Sequence, residues 1–188
     1  MEYLGWVALT LGIIVVVIAL MALGWRNRLR RQADVPAPPE IPVDLGPVLY
    51  EAEGQYVATT TAGDWLDRIA VHGLGLRGNA VAAVHPDGVL ITRTGARTVY
   101  IPRADLISVS LASGMTGKFV EKEGLVVITW RLGTDGVDTG FRTRHATAKA
   151  QLVAAVAALV PAEPVDRTPV RRTPPKRTPP IREGRDQL

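Results

Sequence analysis

Hydrophobic and polar positions separate an apolar N-terminal stretch from everything that follows it. From Leu4 to Trp25 the chain carries no charged residue. At about 1.5 Å per residue, a helix of this length measures roughly 33 Å, which is enough to cross a hydrocarbon core of about 30 Å. The run is too long for the apolar part of a signal peptide, and no cation precedes it. We therefore predict a transmembrane anchor in residues 1–25.

Tryptophans and arginines mark the ends of this predicted span. Trp6 and Trp25 are spaced so that each indole is expected at one membrane–water interface. The arginines that follow are Arg26, Arg28, Arg30 and Arg31. Because cytoplasmic flanks carry the excess of Arg and Lys, we predict a single-pass protein of the plasma membrane, with its N-terminus outside and its C-terminal domain in the cytoplasm.

Residues 26–47 are predicted to be a basic juxtamembrane segment and a proline-rich linker. Five prolines fall between Gln32 and Pro47, and proline favours extended polyproline II backbone. Such a spacer would hold a domain up to roughly 50 Å from the bilayer, at about 3.1 Å per residue.

Residues 48–160 alternate between apolar and polar positions in short segments, which predicts strands. The predicted strands cover residues 49–60, 65–71, 80–84, 89–94, 97–101, 107–111, 126–132 and 138–144. The period then changes, and apolar residues at intervals of three and four predict one amphipathic helix. These residues are Leu152, Val153, Val156, Leu159 and Val160. The pattern indicates a mainly-β domain of about seven or eight antiparallel strands with a C-terminal helix and a single core.

Two segments of this domain resemble a known family. Residues 88–112 (GVLITRTGARTVYIPRADLISVSLA) form a hairpin and a following strand, and residues 124–160 form a last hairpin that runs into the helix. They resemble the pleckstrin-homology-like (PH-like) fold, a partly closed antiparallel barrel with a C-terminal capping helix. The whole chain is similar to single-pass membrane proteins of actinobacteria that are often labelled export, membrane or transporter proteins.

The resemblance implies binding of a protein or a lipid without catalysis. Phosphoinositide readers of the family use a basic loop between the first two strands. The matching turn here, Thr60–Asp64, has an acid and no cation. None of the family's binding residues can therefore be carried over to this chain.

Charge and residue types exclude several other functions. Residues 48–160 hold 11 Lys and Arg against 10 Asp and Glu, so the domain lacks the basic excess of a nucleic-acid-binding protein. The glycines at 73, 75 and 78 have dinucleotide-site spacing, but Pro86 and Gly88 prevent the helix that such a site needs. The histidines do not have metal-ligand spacing. We expect no catalytic residue, no metal and no cofactor.

Two further segments are candidate interaction sites. The loop at 112–124 contains Lys118, Phe119, Val120 and Lys122, which would contact a partner or a lipid surface; the alternative is a mobile hairpin tip with Phe119 folded onto the core. Residues 161–188 form a basic, proline-rich tail that is expected to be disordered. Its Arg-Thr-Pro repeats make Thr168, Thr173 and Thr178 candidate phosphorylation sites, and phosphate there would weaken contact with anionic lipid.

These observations favour a membrane-anchored, non-catalytic PH-like scaffold that faces the cytoplasm. Its expected partners are the lipid bilayer, an unidentified protein and anionic lipid, but not nucleic acid. The alternative is an accessory subunit of a membrane transport or export assembly, in which the single helix packs against other helices.

Overall fold

The structure is a computed structural model of the chain and describes residues 2–115, 118–119 and 124–161. Helix α1, Glu2–Arg31, confirms the predicted long apolar helix. Its candidate span, Leu9–Arg31, is long and apolar enough to cross a membrane, and the most apolar part of this span is not buried inside the protein. The helix continues past Trp25 through the arginines, because arginine is a good helix former and the first proline is Pro36.

The rest of the described chain forms two antiparallel sheets and a second helix. The strands are β1 (Tyr50–Thr61), β2 (Gly78–His85), β3 (Gly88–Arg93), β4 (Val99–Pro102), β5 (Leu106–Ala112), β6 (Gly114–Met115), β7 (Lys118–Phe119), β8 (Leu125–Leu132) and β9 (Asp135–Thr143). Helix α2 is Ala146–Leu159. The large sheet has the order β4-β3-β2-β1-β9-β8-β5, and β6 pairs with β7 in a separate ribbon.

The large sheet stays open between its two edge strands. β4 and β5 follow each other through a short 3-10 turn, Arg103–Asp105, yet they do not pair with each other in the described part of the chain. Helix α2 packs against β1, β5 and β9. Its end is held by the Arg103 guanidinium, whose Nε donates to the Leu159 carbonyl at 3.2 Å. The predicted β fold with a C-terminal helix is therefore confirmed, with seven strands in the main sheet.

One hydrophobic core lies between the inner face of the large sheet and α2. Trp130, Tyr56 and Phe141 are its largest fully buried side chains. One face of β8 is fully buried and carries Val126, Ile128, Trp130 and Leu132. The predicted apolar stripe of α2 faces the core: Leu152, Val156 and Leu159 are buried, and Val153 and Val160 are partly buried against them. Burial of these side chains removes apolar area from water, which is the main force that closes the domain.

The strand predicted at residues 65–71 is wrong. This segment forms a turn, a single bridge between Thr60 and Arg68, and a 3-10 turn at Val71–Gly73. The reason is local: the Asp64 carboxylate accepts the backbone N–H groups of Leu66 at 3.0 Å and Asp67 at 3.3 Å. An Asp side chain bonded to the backbone two residues on stabilises a turn at the expense of a strand.

β5 was predicted correctly as a strand, but its apolar side chains are only partly enclosed. Ile107 is 46% exposed and Leu111 is 38% exposed, whereas Leu106 and Ala112 at the strand ends are buried. Ile107 is the extra residue where the pairing with β8 shifts register, between Leu106 and Ser108. Beyond the shift, Val109 lies opposite the buried Ile128 and packs against the core, while Leu111 stays partly exposed on this edge strand.

A chain of buried hydrogen bonds crosses the interior and fixes the loop between β1 and β2. Trp130 Nε1 donates to Thr139 Oγ1 at 2.8 Å, and the hydroxyls of Thr139 and Thr59 lie 2.8 Å apart. Thr59 and Tyr56 are joined at 2.7 Å, and the Tyr56 hydroxyl donates to the Leu74 carbonyl at 2.8 Å. Since an indole only donates and a carbonyl only accepts, all four bonds point from Trp130 towards Leu74.

Candidate interaction surfaces

The predicted membrane-interface residues lie along α1. Trp6, Trp25, Arg26, Arg30 and Arg31 all have exposed side chains, and Arg28 belongs to the same helix. The tryptophans sit near the two ends of the apolar stretch and the arginines occupy the last turns. These positions satisfy the geometry of a span with aromatic residues at each end and cations at one end.

The end of α1 is tied to the β domain directly. The side-chain amide of Gln32, the first residue after the helix, donates to the Arg68 carbonyl at 3.0 Å and accepts the Ala70 N–H at 2.6 Å. His72 Nε2 lies 2.8 Å from the Val35 carbonyl, and Val35 packs against the core. The linker therefore does not use the full reach of roughly 50 Å that its prolines would allow, because Gln32 and Val35 contact the domain. Proline spacing alone does not reveal these contacts, which depend on Gln32 and Val35.

The predicted loop at 112–124 contains secondary structure. Gly114 and Met115 pair with Phe119 and Lys118 in the β6–β7 ribbon. Met115 is buried in a small cluster with Ala112, Leu125 and Val127. Val120 and Lys122 lie outside the described residues, as do the three candidate phosphorylation sites Thr168, Thr173 and Thr178, so their proposed roles stay predictions.

A buried arginine was missed by sequence reasoning. Arg93, at the end of β3, lies with its guanidinium 4.5 Å from the centre of the Tyr56 ring. Its Nε donates to the Arg97 carbonyl at 2.6 Å, and Nη1 donates to the Gly73 carbonyl at 2.8 Å. Burial lowers the pKa of the Arg93 guanidinium, and burial raises the pKa of the Tyr56 hydroxyl to about 12. The pair therefore connects the β1–β2 loop to the β3–β4 turn and has a structural role.

An open groove of about 560 Å³ lies at the end of the β1–β9 pairing, where Gly54 and Gln55 of β1 are opposite Thr143 and Arg142 of β9. Its basic lining residues are Arg142, Arg144 and Lys149. Arg144 Nη1 forms an ion pair with Glu53 Oε2 at 2.8 Å, and both side chains are more than half exposed. Among the described residues, no group of three or more His, Cys, Asp or Glu is placed to hold a metal ion. The groove is polar and shallow, and it lacks the enclosed apolar walls of a small-molecule pocket.

An open antiparallel sheet of seven strands with a C-terminal capping helix is the architecture of PH-like domains. A family model described as Bacterial PH domain-like matches residues 35–157 of this chain. The chain belongs to this family. The match begins at Val35, the linker residue that packs against the core.

Comparison with known proteins adds only distant likenesses. The chain is similar to "The 8S snRNP Assembly Intermediate" at 10% identity and a TM-score of 0.43, covering 68% of this chain and 94% of that one. It is also similar to "Vav1 inhibited by an allosteric inhibitor" at 15% identity and a TM-score of 0.37, covering 62% of this chain and 27% of that one. A third similar structure is the C-terminal domain of an unknown protein from Leishmania infantum, at 12% identity and a TM-score of 0.36, covering 72% of this chain and 97% of that one. No curated protein matches the chain.

Proposed function

We propose that this protein is a membrane-anchored interaction module without catalytic activity, whose PH-like domain faces the cytoplasm. PH-like domains are generally non-enzymatic, and the family assignment supports this class of function. The observation that carries the proposal is the exposure of α1. No residue in the most apolar part of its candidate span is buried within the protein. An apolar surface of that extent on a soluble protein marks an interaction site, and its length matches a bilayer.

The proposed orientation depends on the arginines. Arg26, Arg30 and Arg31 are exposed in the last turns of α1, and the N-terminal end of the same helix carries Glu2 and no cation. Cations flanking a span remain on the cytoplasmic side, so the domain that follows Arg31 is expected there. The arginines also favour contact with the anionic inner leaflet, at about 1 kcal/mol per residue near the surface.

A protein partner is supported by the edge strand β5. Among the described residues β5 pairs with β8 alone, and two of its large apolar side chains, Ile107 and Leu111, are substantially exposed. An exposed edge with apolar side chains is a template for strand addition by another chain. This edge leads into the ribbon with Lys118 and Phe119, so the predicted partner loop and the edge form one continuous segment.

Site-specific crosslinking in native membranes tests the partner and the alternative function together. A photoreactive residue at position 111 is expected to crosslink a protein, and the substitution Ile107→Lys is expected to abolish that crosslink. Val48→Lys, an exposed apolar position before β1, is the matched control and should leave it unchanged. A second variant carries the photoreactive residue at position 16, in α1. If crosslinks form only from position 16, the protein acts as an accessory subunit of a transport or export assembly. Crosslinks from neither position would refute a protein partner.

A further inference from the structure

The two edge strands of the large sheet differ in how they are protected against a further strand. β4, Val99–Pro102, has four residues and ends at a proline, and its first three side chains are buried. β5, Leu106–Ala112, has seven residues and contains no charged residue, no proline and no glycine. Proteins protect sheet edges with short strands, charges or prolines, because an unpaired edge is a template for another chain. β4 has this protection and β5 lacks it, so β5 is the edge at which a strand would add.

The sequence of β5 is nearly the same in both directions around Val109. Ser108 and Ser110 flank this residue, and Ile107 and Leu111 follow on either side. If two copies of β5 pair antiparallel with Val109 at the centre, position 108 lies opposite position 110 of the other copy, and position 107 lies opposite position 111. Serine then faces serine, and one branched apolar side chain faces another, which are favourable cross-strand pairs. The edge is therefore complementary to itself.

The edge that carries this symmetric pattern is accessible in the structure. The four side chains that flank Val109 are all exposed. The bulge at Ile107 distorts only the start of the strand, and residues 108–112 pair with β8 in continuous register. The β6–β7 ribbon comes next in the chain, and its Met115 is buried in one cluster with Val127 of β8. The described part of the ribbon therefore packs towards β8, on the paired side of β5.

From this symmetry we infer that β5 pairs with β5 of a second copy of the chain, so that two domains share one continuous antiparallel sheet. The inference rests on the proposed function, and it names the protein partner at this edge as a second copy. Two copies anchored in one membrane with the same orientation are related by rotation about the membrane normal. A two-fold rotation relates two antiparallel copies of one strand, and the contact closes as a dimer. The two outer edges of the joined sheet are then the protected β4 strands.

The anchor explains how such a small contact can be sufficient. A strand of seven residues is about 23 Å long, so the paired edge is short for a stable interface. Confinement of both copies to one bilayer raises their effective concentration, as a linker does for two tethered modules. We therefore expect the dimer to form in membranes, and the experiments use the full chain there.

Disulfide crosslinking in isolated membranes tests the register. The chain has no cysteine, so Ser108→Cys and Ser110→Cys each introduce a single thiol. The two variants carry different epitopes, are coexpressed, and are oxidised with copper phenanthroline. In the inferred register the two positions lie opposite each other with Cα atoms about 5 Å apart, which a disulfide can bridge. Two cysteines at 108, or two at 110, lie on a diagonal about 7–8 Å apart, which exceeds that reach.

We expect the mixed pair to crosslink about five times more than either variant does with itself. Val48→Cys, an exposed position outside β5, is the control for random collision and should crosslink least. Equal crosslinking of the mixed and the single-variant pairs, or no crosslinking above that control, would overturn the inferred pairing.

A charge exchange at the same two exposed serines tests the pairing without cysteine. Each variant also carries the photoreactive residue at position 111, and an adduct that contains both epitopes identifies the second copy. Ser108→Lys with Ser110→Lys places like charges opposite each other and should abolish this adduct, whereas Ser108→Asp with Ser110→Lys places opposite charges together and should restore it. An adduct that survives the two lysines, or that is not restored by the opposite charges, would overturn the inference.

The photoreactive residue also separates this inference from the proposed function. Capture of a different protein from position 111, without the two-epitope adduct, would overturn the second copy and leave a protein partner in place. Capture of no protein from position 111 would overturn both.

Discussion

Replacing Thr139 by valine removes the central hydroxyl of the buried hydrogen-bond chain without changing the volume of the side chain. Thr139 Oγ1 accepts a hydrogen bond from Trp130 Nε1 and donates one to Thr59, and all three residues are fully buried. The valine leaves an indole N–H and a hydroxyl oxygen without their partners. Each lost partner in a buried site costs about 1–3 kcal/mol, so we expect the free energy of unfolding to fall by at least about 2 kcal/mol.

The matched control is Thr139→Ser, which keeps the hydroxyl and loses one methyl group, at a cost of about 1 kcal/mol. Both variants are unfolded thermally as full-length protein in detergent micelles, with near-ultraviolet circular dichroism reporting the environment of Trp130. At about 4 °C per kcal/mol for a domain of this size, the valine variant should melt about 10 °C below the native protein. If the valine variant melts at or above the serine variant, the hydrogen-bond chain does not stabilise the fold as described.

Three further predictions concern other parts of the molecule. Because burial raises the pKa of Tyr56 to about 12, its neutral hydroxyl contributes stability that is complete below pH 10 and lost as pH rises through 12. Denaturant titrations should therefore show that the free energy of unfolding of the native protein falls by about 1.4 kcal/mol more than that of Tyr56→Phe between pH 9 and pH 11. An equal fall in the two proteins would refute this. In Gly54→Ala the new Cβ would meet the Arg142 carbonyl and lie 2.8 Å from the Phe141 ring, so we expect the free energy of unfolding to fall by about 3 kcal/mol. In the control Gly78→Ala the nearest atom to the new Cβ is 3.6 Å away, so the free energy of unfolding should change little. Equal losses in the two variants would contradict the packing of β1 on β9. Mass spectrometry of the protein from native membranes should find phosphate on at least one of Thr168, Thr173 and Thr178, and unmodified threonine at all three would remove the proposed charge switch.

The elements that sequence reasoning recovered are those with a strong local pattern. Helix α1 is apolar along its whole predicted length, β8 alternates cleanly, and α2 repeats its apolar residues every three or four positions. Gly95 and Gly133 lie between these predicted strands, and their positive φ values of 73° and 65° favour glycine. Local chemistry decides these elements, so one sequence is sufficient to place them.

The features that escaped prediction depend on residues far apart in the chain. Thr59 and Thr139 meet only because β1 pairs with β9, so neither threonine reveals from its neighbours that it is buried. Arg93 is a charged residue at the end of a strand, where sequence reasoning expects an exposed side chain. In the structure its guanidinium donates to carbonyls of two separate turns. Gln32 belongs by composition to the linker, and its partners are contributed by the β1–β2 loop. Long-range pairing brings these residues together, and periodicity does not report it.

The same distinction applies to the candidate sites. Trp6, Trp25 and the arginines could be proposed as interface residues from the sequence, because the dimensions of a bilayer set the expected spacing. Trp65 was instead placed in the strand predicted at 65–71, because Trp65, Ile69 and Val71 would share one face of a strand. The Asp64 cap reverses that assignment and leaves Trp65 at the surface, next to the end of the anchor.

Membrane extraction combined with proteolysis tests the central claim most directly. The full chain, carrying a C-terminal epitope, is expressed in bacterial cells, and isolated membranes are washed with alkaline carbonate, which releases peripheral proteins. We predict that the protein stays in the membrane pellet and that its epitope resists protease added to intact cells but is cleaved in inverted vesicles. Recovery of the intact chain in the carbonate supernatant, or loss of the epitope from intact cells, would contradict a membrane-anchored domain that faces the cytoplasm.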